Sequence, residues 1–582
     1  MPGQPKAPFY IALFLVVGGL ITFAVMKMDV LAPKGGPQGG QGVAGKASEP
    51  ISIPSEAPDS NSVTTVKEYS FRPTERLPEI KGTAAYKPMV DNTVRFALNV
   101  WAGWGPIILA NDGFKGAKVW KTPDGKEFKI ELVLIDNPIT MQDAYSTGDI
   151  HIGWATLDMV PLFLERIVDA TGRPRDSRVM PRIYQQVDWS NGGDGIIVRK
   201  SLVKTVSDLR GKKLVLAQNS PSHYFALNML VAGGVQPAEV NMVFTEDAFQ
   251  AAAAFNSKSD LAAAVSWAPD IYNLSKVSGN ELLVTTATAN KLIADVWFAR
   301  ADFAKDHPGI IESLVRGIFE GMEQLKDPAK KQRCADLMAQ GYQIPATDTI
   351  NMFADAHNTN WAENYQFFMN ANNPANFERV WRQSYYLYRR VNSIKHSPVS
   401  FDQVMDFTFI EKLGKEPKYS SQKDEYQIAF TPKTVGEIRG ESDEILTNTV
   451  VIQFFPNSWD LSKKVLKQVN GKAVEELYDP NVENVLVGIG DLVGKFGMAR
   501  IVIVGHTDAS MRGQVSADLV KQLSAQRASA VKEALVRKYP KLDPNQFSTE
   551  GKGWDVPVDK EDPLNHVRNR RVEVKVYSAE KQ

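Results

Sequence analysis

Three hydrophobic patterns divide the chain. Phe9–Met26 is an unbroken apolar run without a charge, and as a helix it would rise about 27 Å, close to the thickness of a bilayer core. Between about residues 90 and 410, short strand-like runs alternate with stretches of helical period. The strand-like runs fall at Val94–Val100, Phe128–Ile135, Asp149–Trp154, Gly195–Val198, Lys213–Ala217, Leu261–Ser266 and Leu282–Thr285. That alternation predicts an α/β protein with largely parallel sheets. The third pattern opens on the β-branched run Ile501–Val504. It continues with Leu519, Leu523, Ala530, Val531 and Leu535, a helical rhythm that puts Arg527 near the middle of a helix. A further strand is predicted at Val572–Val576.

Two polar breaks separate these blocks. Ala32–Asn61 is rich in Gly, Pro and Ser and reads as a flexible tether. A second break, Lys415–Lys433, has little periodicity. The expected organisation is therefore a short segment 1–8, a membrane anchor 9–26, a linker 27–90, a large domain 91–414, a second linker 415–445 and a C-terminal domain 446–582. The apolar run is expected to be retained, because Val25-Met26-Lys27 follows it where a signal peptide would carry small residues for cleavage. Asp29 lies just past the run, so no carboxylate sits inside the membrane as a proton-conducting stator subunit would need.

Composition removes several function classes. Lys and Arg total 67 and Asp and Glu total 67, which argues against a nucleic-acid partner. Cys334 is the one cysteine, so there is neither an internal disulfide nor a cysteine-rich metal site, and the seven histidines lack metal-ligand spacing. Nucleophile-elbow, Walker and HExxH motifs are absent, and Gly488–Gly494 has the wrong glycine spacing for a dinucleotide loop. No catalytic residue, cofactor or metal is expected, and the chain reads as a non-enzyme.

Candidate chemistry lies at strand ends. Asp508 follows the strand Ile501–Val504, and Arg527 lies on the next helix. Together a carboxylate and a guanidinium can hold a group bearing both an ammonium and a carboxylate, or can simply pair with each other. His506-Thr507-Asp508, Leu523-Ser524-Ala525-Gln526-Arg527-Ala528 and Asn569-Arg570-Arg571-Val572-Glu573-Val574 resemble, in that order, the OmpA-like peptidoglycan-binding family. The resemblance implies a small α/β domain in which Asp508 and Arg527 clamp the diaminopimelate of the wall peptide, with Thr507 beside them and Arg570 as a supporting charge. Two departures from the family are Val520, where an Asn is usual, and a longer loop at Met511–Ser516.

In the middle domain the residues after the strands are Trp101, Trp104, Trp154, Asp188, Trp189, Asn219, Ser220, Ser222, Trp267 and Asp270. Aromatic faces beside Asp188, Asp194 and Asp270 suit a cationic or amine-bearing ligand; the alternative makes the tryptophans ordinary core and the aspartates caps. LNVWAGWGPIILAND, DLRGKKLVLAQNSPSHYFALNML, AAAAFNSKSDLAAAVSWAPD and ADVWFARADFAKDHPG resemble the nitrate/sulfonate/taurine-type periplasmic substrate-binding proteins. The resemblance implies two lobes closing on a small ligand, a crossover near Gly195, a return near Asp295, and a helix starting behind Gln218–Ser222 whose amides hold an anion. Ala268 stands where that family carries a Glu, so neither sulfonate nor taurine is carried over as the ligand.

The combined expectation is an inner-membrane protein with one span and its bulk in the periplasm. It would bind a small molecule of unnamed identity and diaminopimelate-type peptidoglycan, beside a membrane-protein partner. The alternative is a structural protein of an envelope complex whose solute module has lost its ligand and acts as a spacer.

Overall fold

The computed structural model describes Glu56 and residues 68–469 and 472–578. The expected anchor at 9–26 lies outside the described residues, as does the tether apart from Glu56. No helix among the described residues is long and apolar enough to cross a membrane. The compact unit Pro54–Gln582 holds all of the described elements.

The first lobe is built on a seven-stranded sheet. Across it run Ala356–Asn358, Pro181–Ser190, Ala294–Arg300, Ile152–Thr156, Thr93–Leu98, Glu127–Leu134 and Trp120–Lys121. Every residue of Ala294–Arg300 and of Ile152–Thr156 is buried, as near-continuous apolar runs covered on both faces require. The second lobe carries five strands in the order Asn280–Thr285, Asp194–Arg199, Ala263–Trp267, Lys213–Ala217 and Asn241–Thr245. The chain passes between lobes twice, at Ser190–Asp194 and again between Thr285 and Ala294, next to the positions the resemblance implies.

The expectation of largely parallel sheets is corrected. Thr93–Leu98 pairs parallel with its neighbours, but Ala294–Arg300 runs antiparallel to both of its own, and so does Asp194–Arg199. The reason is the double crossing. A strand that returns directly from the other lobe enters the sheet without a crossover helix, and parallel pairing needs such a connection.

The C-terminal sheet runs Glu444–Val450, Arg571–Tyr577, Arg500–His506 and Phe547–Gly553, and a separate hairpin joins Lys464–Val469 to Lys472–Leu477. Helix Ala517–Lys538 lies across the four-stranded sheet, capped by Ser516 accepting from the Leu519 amide at 3.4 Å, with Asp518 in its first turn and Arg537 and Lys538 in its last. Gly505 and Gly551 let it sit close: a Cβ at either would strike helix backbone at Ser524 or Lys521.

Both expected linkers carry order. From Tyr69 the chain crosses the second lobe, where the Tyr69 hydroxyl donates to Val231 O (2.8 Å). It then runs over the first, where the Thr74 amide donates to Val391 O (2.7 Å) and Arg166 Nε donates to Pro78 O (2.7 Å). Residues 415–445 hold two short helices, the first tied down by Arg316 in a fork to Glu416 at 2.7 and 2.8 Å. The C-terminal domain docks on the second lobe through Asn448 Nδ2 to Ala232 O (2.9 Å) and Lys495 Nζ to Asn228 Oδ1 (3.0 Å). Burial in that contact lowers the Lys495 ammonium to a pKa of about 8.

Candidate functional site

The C-terminal candidates sit where strand Arg500–His506 ends against helix Ala517–Lys538. Asp508 is 3% exposed; its Oδ1 accepts from the Ser510 amide at 2.7 Å and its Oδ2 pairs with Nε of Arg570, itself buried at the start of strand Arg571–Tyr577. Thr507 is buried beside it, and its Oγ1 has no hydrogen-bond partner. Arg527 is 2% exposed and lies over the Phe454 ring, with the guanidinium carbon 4.8 Å from the ring centre. Its Nε donates to Ser458 O at 3.0 Å. Its two terminal nitrogens fork onto the carboxylate of Glu56, at 3.0 and 2.5 Å. The site thus contains two buried ion pairs, Asp508–Arg570 and Arg527–Glu56.

The middle-domain candidates separate into several groups. Trp104 is fully buried in the first lobe, its indole donating to Asn99 Oδ1 at 2.7 Å, and Trp154 donates to Ile135 O at 3.1 Å; both are core. Trp189 is buried edge-on against Phe367. Trp101 lies at the hinge, its Nε1 donating to Asp188 at 3.1 Å and its ring covering Gly193, where a Cβ would have no room. Trp267 and Asp270 are half-buried at the end of a second-lobe strand, Trp267 beside Phe249. Asn219 is committed elsewhere: its Nδ2 donates to Glu75 O at 2.7 Å and its Oδ1 accepts from Ser393 at 2.6 Å.

The carboxyls between the lobes are protonation-prone. Burial raises Asp188, Asp194 and Asp158 to about 7 and Asp355 to about 6. Asp295 is also raised well above the usual carboxylate range, by burial and by the adjacent Asp188 carboxylate. Asp188 is spent on Trp101 and Asp295, so this cluster is not a ready-made cation site.

Helix Pro221–Ala232 begins nearby, capped by the Ser220 hydroxyl, which accepts from the His223 amide at 3.4 Å. His223 is fully buried, and desolvation lowers its pKa to about 3, so the ring is neutral. Its Nδ1 accepts from the Asn219 amide at 3.3 Å, which assigns the proton to Nε2, and that donor has no partner. Ser222 Oγ, also fully buried, has none either. The Tyr388 hydroxyl joins this helix start to Asp158, 3.3 Å from Ser220 O and 3.2 Å from Asp158 Oδ2.

Residues 475–571 match the family model described as OmpA family, and residues 190–331 match the model described as NMT1/THI5 like. The chain joins an NMT1/THI5-like domain to a C-terminal OmpA domain. The taurine-binding periplasmic protein of Escherichia coli (strain K12) is 24% identical over 191 residues, 32% of this chain, and the match spans 55% of that relative's length. Among solved structures, the periplasmic aliphatic sulphonate binding protein SsuA from Escherichia coli is similar over 60% of this chain and 98% of its own, with 16% identity and a TM-score of 0.41. The periplasmic nitrate-binding protein NrtA from Synechocystis PCC 6803 is similar over 56% of this chain and 88% of its own, with 14% identity and a TM-score of 0.39.

The OmpA match takes in Thr507, Asp508, Arg527 and Arg570 and leaves Glu56 outside. The NMT1/THI5-like match takes in the hinge and second lobe, with Ser220, Ser222 and Trp267, and leaves out Trp101, Asp158, Asp188 and Tyr388. Asp158 lies just past the run Asp149–Trp154 but among apolar residues that carry no motif, and Tyr388 lies within helix Phe377–Arg390, away from any strand end, so both escaped the sequence reading. Glu56 carries no motif at all; it is one acidic residue in a Pro- and Ser-rich stretch, and only the fold shows its partner.

Proposed function

We propose that the chain is a non-catalytic cell-envelope protein whose NMT1/THI5-like domain binds a small solute and whose OmpA domain holds the diaminopimelate-bearing peptide of peptidoglycan. The run Phe9–Met26 would anchor it in the inner membrane, leaving the described residues in the periplasm. The observation that carries the wall reading is Arg527, a buried guanidinium over an aromatic ring, already holding a carboxylate in a fork. In co-sedimentation of the full chain with purified diaminopimelate-type peptidoglycan, Arg527→Ala is expected to weaken retention roughly ten- to a hundredfold, the value of one charge-assisted contact. Undiminished pelleting sinks the reading.

The solute reading rests on Ser222 and His223, two buried donors without acceptors at a helix start, a place suited to a solute with an acceptor or anionic group. Solute released by denaturing the purified chain should be detectable by mass spectrometry. Ser222→Val is expected to cut its yield roughly tenfold at unchanged thermal stability, by one lost hydrogen bond. A second reading, the spacer, is favoured by the tight packing of Trp101 on Gly193 and of Asp188 on Gly103. Absence of any released solute, with tryptophan fluorescence that no amino acid or oxyanion changes, would decide for the spacer.

A further inference from the structure

We propose that Glu56 is an intramolecular occupant of the wall pocket. Its carboxylate takes the place on Arg527 that a wall-peptide carboxylate would take, so the chain's own Glu56 and peptidoglycan compete for one guanidinium. The inference rests on the reading of Arg527 as the wall contact.

The contact has the geometry of ligand recognition. Glu56 and Arg527 lie 471 positions apart and are 1% and 2% exposed, and both guanidinium nitrogens meet both carboxylate oxygens. The pocket wall holds Glu56 a second time. Its amide donates to Asn457 Oδ1 at 3.2 Å, while the Asn457 amide donates back to Glu56 Oε2 at 3.0 Å. The next residue, Ser458, supplies the carbonyl that accepts from Arg527 Nε, so one short loop fixes both guanidinium and carboxylate. Surface tethers rarely bury a lone carboxylate, because desolvating an ion pair costs several kcal/mol unless the geometry is this complete.

Glu56 supplies a carboxylate and no ammonium, so it imitates one half of a diaminopimelate centre. Asp508, the group expected to take the ammonium, is meanwhile held by Arg570. A wall peptide satisfying both Asp508 and Arg527 therefore has an interaction that Glu56 lacks. It can displace Glu56 even though Glu56 belongs to the same chain and so acts at an effective concentration on the order of millimolar. Apparent wall affinity falls by the fraction of molecules whose pocket is open, so a pocket about 10% open binds about tenfold more weakly than its intrinsic affinity.

The probe is the soluble tripeptide L-Ala-D-Glu-meso-diaminopimelate, titrated calorimetrically into the full chain in detergent. Glu56→Gln keeps the side-chain shape, removes the charge, and is expected to lower the Kd about tenfold. Glu56→Asp, too short to reach the fork, should also tighten binding and serves if the Gln variant does not fold. Arg527→Ala should weaken binding roughly ten- to a hundredfold with either residue at position 56. If neither Glu56 variant binds tighter while Arg527→Ala still weakens binding, Glu56 is a structural pair only and the competition is overturned. If Arg527→Ala leaves binding unchanged, the wall reading itself falls, and this inference with it.

Discussion

Asp508→Ala is expected to destabilise the C-terminal domain by about 3–5 kcal/mol, the cost of removing one partner of a buried ion pair. Asp508 is 3% and Arg570 6% exposed, so the guanidinium left behind cannot reach bulk water without moving strand Arg571–Tyr577. The Ser510 amide also loses its acceptor, which loosens the start of the loop before helix Ala517–Lys538. Denaturant unfolding of the full chain, following the C-terminal transition, measures the loss. Asp508→Ala combined with Arg570→Met should recover most of it, because the second change removes the buried charge that Asp508 balanced and keeps the volume. A single variant within about 1 kcal/mol of wild type would show that water already solvates the pair. The comparison also guards the wall experiments. Lost pelleting by Asp508→Ala or by Arg527→Ala counts as lost recognition only after stability has been measured, because each change removes one partner of a buried ion pair.

The sequence made local chemistry legible and left long-range partners hidden. Lys213–Ala217 reads as a strand because five apolar or β-compatible residues lie between turn signals, and the structure gives it the same bounds. Arg527 reads as mid-helix from its apolar neighbours and lies near the centre of Ala517–Lys538. The ten-residue strand Pro181–Ser190 was missed: Gln185, Gln186 and Asp188 interrupt its apolar run, and all three are fully buried through pairings with residues far away in sequence, Trp297, Asn364 and Trp101. The tryptophans show the same limit from the other side. Position after a strand selected Trp104 and Trp101 equally, but burial sent Trp104 to the core and left Trp101 at the hinge. Residues 68–90 read as linker because they lack periodicity. They are ordered by backbone and side-chain hydrogen bonds to surfaces far away in sequence, a pattern with no period to detect.

Between pH 6.5 and pH 8 the chain is expected to lose stability, in the opposite direction to most proteins with paired carboxylates. The carboxyls between the lobes are raised by burial: Asp158, Asp188 and Asp194 to about 7, and Asp295 in the same direction. In the unfolded chain each returns to its ordinary value near 4 and is ionised throughout this window. The native state therefore binds more protons than the unfolded state, and stability falls as pH rises through the native values. His223 and His151, lowered by burial, oppose this only below their ordinary value of 6.5, and Lys495, lowered to about 8, opposes it from the upper end, which together bound the window. Each carboxyl at about 7 contributes somewhat under ~1 kcal/mol across the window, so the three together give about 2 kcal/mol. Asp158 isolates the cause, because Tyr388 donates to its Oδ2 and an amide can accept the same bond. Asp158→Asn removes the titration at one site and should stabilise the chain at pH 8 by as much as ~4 kcal/mol, while flattening the pH slope. Thermal unfolding of both chains at the two pH values is the measurement. Equal slopes would place the titrating groups elsewhere, and a variant less stable at pH 8 would mean that the Asp158 carboxylate is favoured in its charged form.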